Sequence, residues 1–125
     1  MVKDLISIIV SVAILTGIAV AEDVTIKKCF GEFSTYAQVL YLKEQDESAT
    51  VDDALILQNN WIKYKSKLHV YIPHNEIKEM DLWVSECVGY TKDKNFKEAK
   101  SKLEVIIELT QQIPKTFKFD IENIL

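Results

Sequence analysis

Arginine is missing from this sequence: all 15 cationic residues are lysine. The guanidinium is the usual fork for gripping a carboxylate or phosphate at two points, so its absence counts against an anion-binding site of that kind. A codon bias toward lysine accounts for the same fact without any function. Glycine (3) and proline (2) are scarce, which leaves too few turn-formers for a many-stranded β architecture and favours long helices. An excess of positive charge is also missing. With a net charge of −4, the chain has no counterion-release advantage on nucleic acid, so no nucleic-acid partner is expected. Nor is there a glycine-rich phosphate loop, a Ser-His-Asp or Cys-His set, or a pair of carboxylates with a supporting frame. Those absences predict a protein that is not an enzyme and carries no cofactor and no metal.

What is present is apolar sequence with order in it. Hydrophobic residues make up 48% of 125, which suits a folded chain and argues against wholesale disorder. That length holds one domain and a short appendage. The appendage is at the start, where an uncharged run begins at Leu5 and ends at Ala21, closed by Glu22 and Asp23. At ~1.5 Å per residue it spans roughly 26 Å, slightly under a hydrocarbon core of ~30 Å, and Val2 and Val24 extend it. Lys3 before the run and Ala19-Val20-Ala21 at its end also fit a secretory signal with a cleavage site at Ala21. The uncleaved anchor is the preferred reading, giving a single-pass protein of the cell membrane; secretion after cleavage at Ala21 is the alternative. Both put the rest outside the cytoplasm. The division expected is therefore a membrane or export segment over residues 1–23 and an extracytoplasmic helical domain over 24–125. Cys29, preceded by two lysines, is not in the apolar setting of a lipid-attachment site.

The domain is read from repeated three-and-four spacing, which keeps apolar residues on one stripe of an α-helix. Over 50–72 the stripe is Ala54, Leu57, Trp61, Tyr64, Leu68 and Tyr71, with Thr50 and Asp53 as an acidic capping box and Pro73 as the stop. Over 24–47 it is Ile26, Phe30, Phe33, Ala37 and Leu40, with Gly17 as the one glycine in the preceding run, so that run could pass smoothly into this helix. The segment Glu44-Gln45-Asp46-Glu47-Ser48 reads as a solvated turn. A third helix over 76–90 buries Ile77, Met80, Val84 and Cys87, flanked by Trp83 and Val88, with Asn75 as its cap. Gly89 and residues 91–95 read as the next turn. The last helix, over 96–112, turns Phe96, Ala99, Leu103, Ile106 and Thr110 inward and stops at Pro114. Phe117, Phe119 and Ile121 then open a short packed tail. The fold class expected is all-α: an N-terminal membrane or export helix, then an antiparallel four-helix bundle or two stacked helical hairpins.

The N-terminal apolar segment, the helix centred on Trp61, the step Ile72-Pro73-His74-Asn75-Glu76-Ile77, the pair Glu98-Ala99 and the close Glu122-Asn123-Ile124-Leu125 together resemble a domain of unknown function, family 4363. The resemblance implies a small single-pass membrane protein of low-GC Gram-positive bacteria with an outward helical domain, and it implies no activity. Lys78 departs from the pattern, standing where an acid is expected.

Four candidate sites follow. Trp61 and Tyr64, with Trp83 and Tyr71, could line a slot for a small ligand between helices; the plainer reading makes Trp61 the largest side chain of the core. His69, His74 and Glu76 are the nearest approach to a ligand cluster, but Pro73 lies between the histidines and spoils the i, i+4 helical spacing that zinc sites use. The plain reading is an exposed His69 and a His74 that helps cap a helix. Lys92, Lys94, Lys97, Lys100 and Lys102 could meet an acidic partner, against an ordinary solvated face broken by Asp93 and Glu98. Cys29 and Cys87 are expected at opposite ends of the bundle as separate thiols. The partners that fit are membrane lipid along Leu5 to Ala21 and an envelope or integral membrane protein. The function expected is that of a membrane-anchored interaction or structural module. The alternative is a ligand sensor or carrier with its pocket near Trp61.

Overall fold

Uninterrupted helix-forming sequence from Val2 onward gives one very long rod. In the computed structural model, which describes the backbone of residues 1–124 and the side chains of residues 1–116, α1 runs Val2–Gln45 without a break. The apolar segment passes smoothly into the first bundle helix, and the two are a single helix of 44 residues, ~66 Å long. The remaining helices are α2 (Val51–Leu68), α3 (His74–Lys92) and α4 (Phe96–Ile124). No strand occurs among the described residues.

Short connections force neighbouring helices antiparallel, and the side-chain pairs show it. Along α1 and α2, Glu32 meets Tyr64 while Lys43 meets Asp53, so ascending one helix descends the other. Helix α1 packs on α2 and α4, and α3 packs on α2 and α4, closing a ring. The arrangement is an up-down-up-down four-helix bundle, with α1 opposite α3. Its core follows the three-four rhythm on every helix: Ile26, Phe30, Phe33, Ala37 and Leu40; Ala54, Leu57, Trp61, Tyr64 and Leu68; Ile77, Met80, Val84 and Cys87; Ala99, Leu103, Ile106 and Ile113.

Helix ends differ from expectation where backbone chemistry competes with side-chain pattern. The capping box of α2 forms as read, with Thr50 Oγ1 accepting from the Asp53 N–H and the Asp53 carboxylate accepting from the Thr50 N–H. Its other end comes early. Helix α2 stops at Leu68, well before Pro73, because a turn closes on the Leu68 carbonyl through the N–H groups of Tyr71 and Ile72 at 2.9 and 3.0 Å. That turn drives Ile72 into the core and leaves Tyr71 half-buried. Helix α3 begins at His74 with Pro73 as N-cap, and neither His74 nor Asn75 caps it through a side chain.

Pro114 does not end α4, which continues to Ile124. A proline inside a helix removes one backbone hydrogen bond and crowds the preceding turn, at about 3 kcal/mol. Here Ile113 and Pro114 are both buried, so packing against the neighbouring helix offsets the loss. The packed tail expected from Phe117, Phe119 and Ile121 lies outside the residues whose side chains are described.

Both expected turns are present, but each begins later than expected because its first residues are helix. Glu44 belongs to α1 and Thr91, with Gly89, to α3. The true turns lie one step later and share a geometry. Ser48 N–H bonds the Lys43 carbonyl and Asn95 N–H bonds the Tyr90 carbonyl, both at 2.9 Å, the long-range bond of a Schellman ending. Glu47 (φ 56°) and Lys94 (φ 59°) occupy the left-handed position where glycine is usual.

Candidate interaction surface

The amino-terminal half of α1 has nothing to pack against. Its most apolar 18-residue window has a mean hydropathy of 2.3 and is 0% buried; Leu5, Ile9, Val12 and Leu15 are each more than half exposed. A hydroxyl on this arm turns inward to its own helix: Thr16 donates to the Val12 carbonyl. In lipid this is the required arrangement, since no water is there to take the proton. By length and composition the arm can cross a membrane, a test that a signal sequence also passes.

Above the arm, two open grooves run along α1. Between α1 and α2 a groove of about 190 Å³ is lined by Tyr36, Val39, Leu40, Lys43, Asp53, Ile56 and Leu57. Leu40 and Leu57 are its buried floor, while Tyr36, Val39 and Ile56 stand at 42%, 51% and 52% exposure. The Lys43–Asp53 ion pair at 2.9 Å closes one end. Between α1 and α4 a wider groove, about 390 Å³, is lined by Phe30, Gly31, Ser34, Thr110, Gln111 and Pro114, with Lys27 and Lys115 on its rim. Small residues open it: a Cβ added at Gly31 would touch nothing within 4 Å.

The residues singled out from the sequence are dispersed. Trp61 is sealed in the core, its ring 5.2 Å from that of Phe33, and its indole N–H donates to Asp81 Oδ1 at 2.6 Å. Lys65 Nζ binds the same carboxylate at 3.0 Å, tying α2 to α3. Tyr64, also buried, donates its hydroxyl to Glu32 at 2.9 Å. Burial, with that carboxylate next, pushes the phenol up to about 12. His69 is the C-cap of α2 and exposed; His74 is exposed at the start of α3, and Glu76 is half-buried in its first turn. Among the described residues, no group of three or more His, Cys, Asp or Glu is placed to hold a metal ion.

The lysine cluster divides. Lys102 lies 4.9 Å from the Trp83 ring centroid and 5.8 Å from that of Tyr90, and pairs with Glu86 at 3.5 Å. Lys100 lies 5.8 Å from the Tyr41 ring. These two are folded onto the bundle as cation–π partners, while Lys92, Lys94 and Lys97 are exposed. Cys29 and Cys87 are both buried and free. Cys87 lies one turn below Thr91, in the half of the bundle far from the arm, roughly 16 Å of helix rise from Cys29.

Sequence reading missed one polar cluster. Glu44, on α1, is 1% exposed, and its Oε1 lies 2.5 Å from the hydroxyl of Thr91 on α3, itself buried. The signal was there: the next steps of four after Leu40 and Cys87 fall on Glu44 and Thr91. The acidic composition around Glu44 and the neighbouring Gly89 outweighed the rhythm.

Residues 35–124 match the family model described as domain of unknown function, DUF4363. The chain belongs to that family. The match begins partway along α1 and takes in α2, α3 and α4, so it covers most of the bundle and none of the apolar arm. No curated protein and no solved structure matches the chain.

Proposed function

We propose that this DUF4363 protein is a membrane-anchored interaction module without enzymatic activity, holding its bundle outside the cytoplasm against a protein of the envelope. The uncovered apolar arm of α1 carries the reading. Leaving that many aliphatic side chains in water would sacrifice ~25 cal/mol per Å² of apolar surface, which lipid would restore. Because the arm enters the bundle as the same helix, the domain stands on a stiff post instead of a tether. The groove floored by Leu40 and Leu57 then faces sideways along the membrane, where a protein with a matching apolar ridge would meet it. A ligand slot at Trp61 has no comparable support, since that side chain is enclosed by Phe33 and bonded to Asp81.

Protease treatment of intact and of permeabilised cells, followed by intact mass, tests the topology. The bundle should be cut in intact cells, while residues 1–23 stay with the membrane fraction. A bundle protected until permeabilisation overturns the outward placement. A photo-cross-linker at Val39 should capture a discrete envelope protein that the same probe at exposed Gln112 does not. Equal yields from both sites, or none from Val39, would remove the groove from the reading.

A further inference from the structure

We propose that Glu44 and Thr91 form a proton-held pin across the diagonal of the bundle, closing its far end only while the Glu44 carboxyl is neutral. The geometry rests on counting hydrogens. Thr91 Oγ1 lies 2.9 Å from the Cys87 carbonyl and 2.5 Å from Glu44 Oε1, yet a hydroxyl has a single hydrogen to donate. If it goes to the Cys87 carbonyl, the short contact to Oε1 needs a proton from the acid, and Glu44 is the donor. If it goes to Glu44 as a carboxylate, a full charge is sealed in the core with Glu44 Oε2 buried and unpartnered. The second arrangement carries the large cost of an uncompensated buried ion. The first satisfies the hydroxyl and leaves only a neutral carbonyl oxygen wanting.

Among the described residues, no cation stands ready to reverse that balance. On α1, Lys43 is engaged with Asp53 at 2.9 Å, and Asp53, at the start of α2, adds repulsion. Asp46 and Glu47 in the following turn are exposed. From α3 come Thr91 and the Cys87 thiol, with Lys92 and Asp93 exposed beyond them. On α4, Lys100 lies over the Tyr41 ring, Glu104 accepts from the Tyr41 hydroxyl, Lys97 is exposed and Glu98 is half-buried. Burial raises the Glu44 carboxyl above the ordinary range; the Thr91 hydroxyl opposes this and Asp53 adds to it. Burial, then Glu44, pushes Cys87 up to about 12, so the thiol brings no negative charge of its own at neutral pH.

The pin joins the two helices that do not otherwise neighbour each other in the ring, each just before its Schellman turn. Ionising Glu44 therefore loosens both far-end turns together. The sign is set by proton uptake. Unfolded chain loses the Glu44 proton near the ordinary carboxyl value, while folded chain keeps it to higher pH. Stability falls as pH rises through that interval, by up to tenfold in the folding constant per pH unit, and levels off above the folded value.

Urea unfolding of the full chain in detergent micelles, from about pH 5 to about pH 8, tests the pin, comparing wild type with Glu44→Gln. The amide can still donate to Thr91 but cannot ionise. Wild type should lose stability as pH rises and E44Q should show a flatter line; parallel lines overturn the proposal. Carbon-13 NMR of the glutamate carboxyls in wild type decides independently, even if E44Q folds poorly. Glu44 should titrate above the ordinary carboxyl range, and a titration within or below that range overturns the proposal.

Discussion

Trp61 is the largest side chain sealed in the bundle, and both parts of its indole are provided for, the ring by Phe33 and the N–H by Asp81. Replacing it with alanine removes the ring and opens a cavity, so Trp61→Ala should cost ~3–5 kcal/mol in chemical denaturation. Asp81→Ala leaves the buried N–H without its acceptor and Lys65 without its ion, and should cost ~1–3 kcal/mol. Trp61→Phe combined with Asp81→Ala should cost less than the two single changes added together, since both remove one bond. Glu44 and Asp53 give opposite pH limbs. The Lys43 ammonium, then the Thr50 backbone N–H, holds Asp53 below the usual carboxylate range. Its contribution is present above the unfolded value and is lost as pH falls through the folded one. Stability should therefore peak at mildly acid pH, with Asp53→Asn flattening the acid limb and Glu44→Gln the alkaline one.

Helices here are specified by rhythm along their length and by local hydrogen bonds at their ends. Matched Schellman endings after α1 and α3 place Glu47 and Lys94 in left-handed backbone, at ~1–2 kcal/mol for a residue with a Cβ. Lys94→Gly removes that strain at the expense of a more flexible unfolded chain, and should raise stability by about 0.5 kcal/mol in the same denaturation assay. A fall would mean that the lysine side chain supports the turn. The capping box at Thr50 was legible because its chemistry is contiguous. The stop of α2 at Leu68 was not, because Ile72 reaches the core only through a turn that sequence spacing does not encode. Glu44 and Thr91 sat on the rhythm but looked like loop residues, and only a partner on another helix makes either acceptable in a core.

Across the whole molecule, the arm and the bundle share one helix but not one core. Residues 1–18 are exposed throughout, and Ile26 is the first residue of α1 sealed in the core. Deleting residues 1–21 should leave a helical bundle that unfolds cooperatively, with a denaturation midpoint close to that of the full chain. Loss of the cooperative transition would show that the arm supports the fold. Inserting several glycines between Asp23 and Val24 would instead keep both parts and break the post between them. Cross-linking at Val39 should then fall while the bundle's unfolding is unchanged.

The amino-acid order by itself determined the uncharged opening segment and four amphipathic stripes, because burial of apolar faces depends on spacing that can be read along a single chain. Tertiary structure alone decided that Pro114 lies within a helix and that an acid and a hydroxyl meet across the diagonal. Each of those outcomes balances a local cost against a contact from a distant part of the chain.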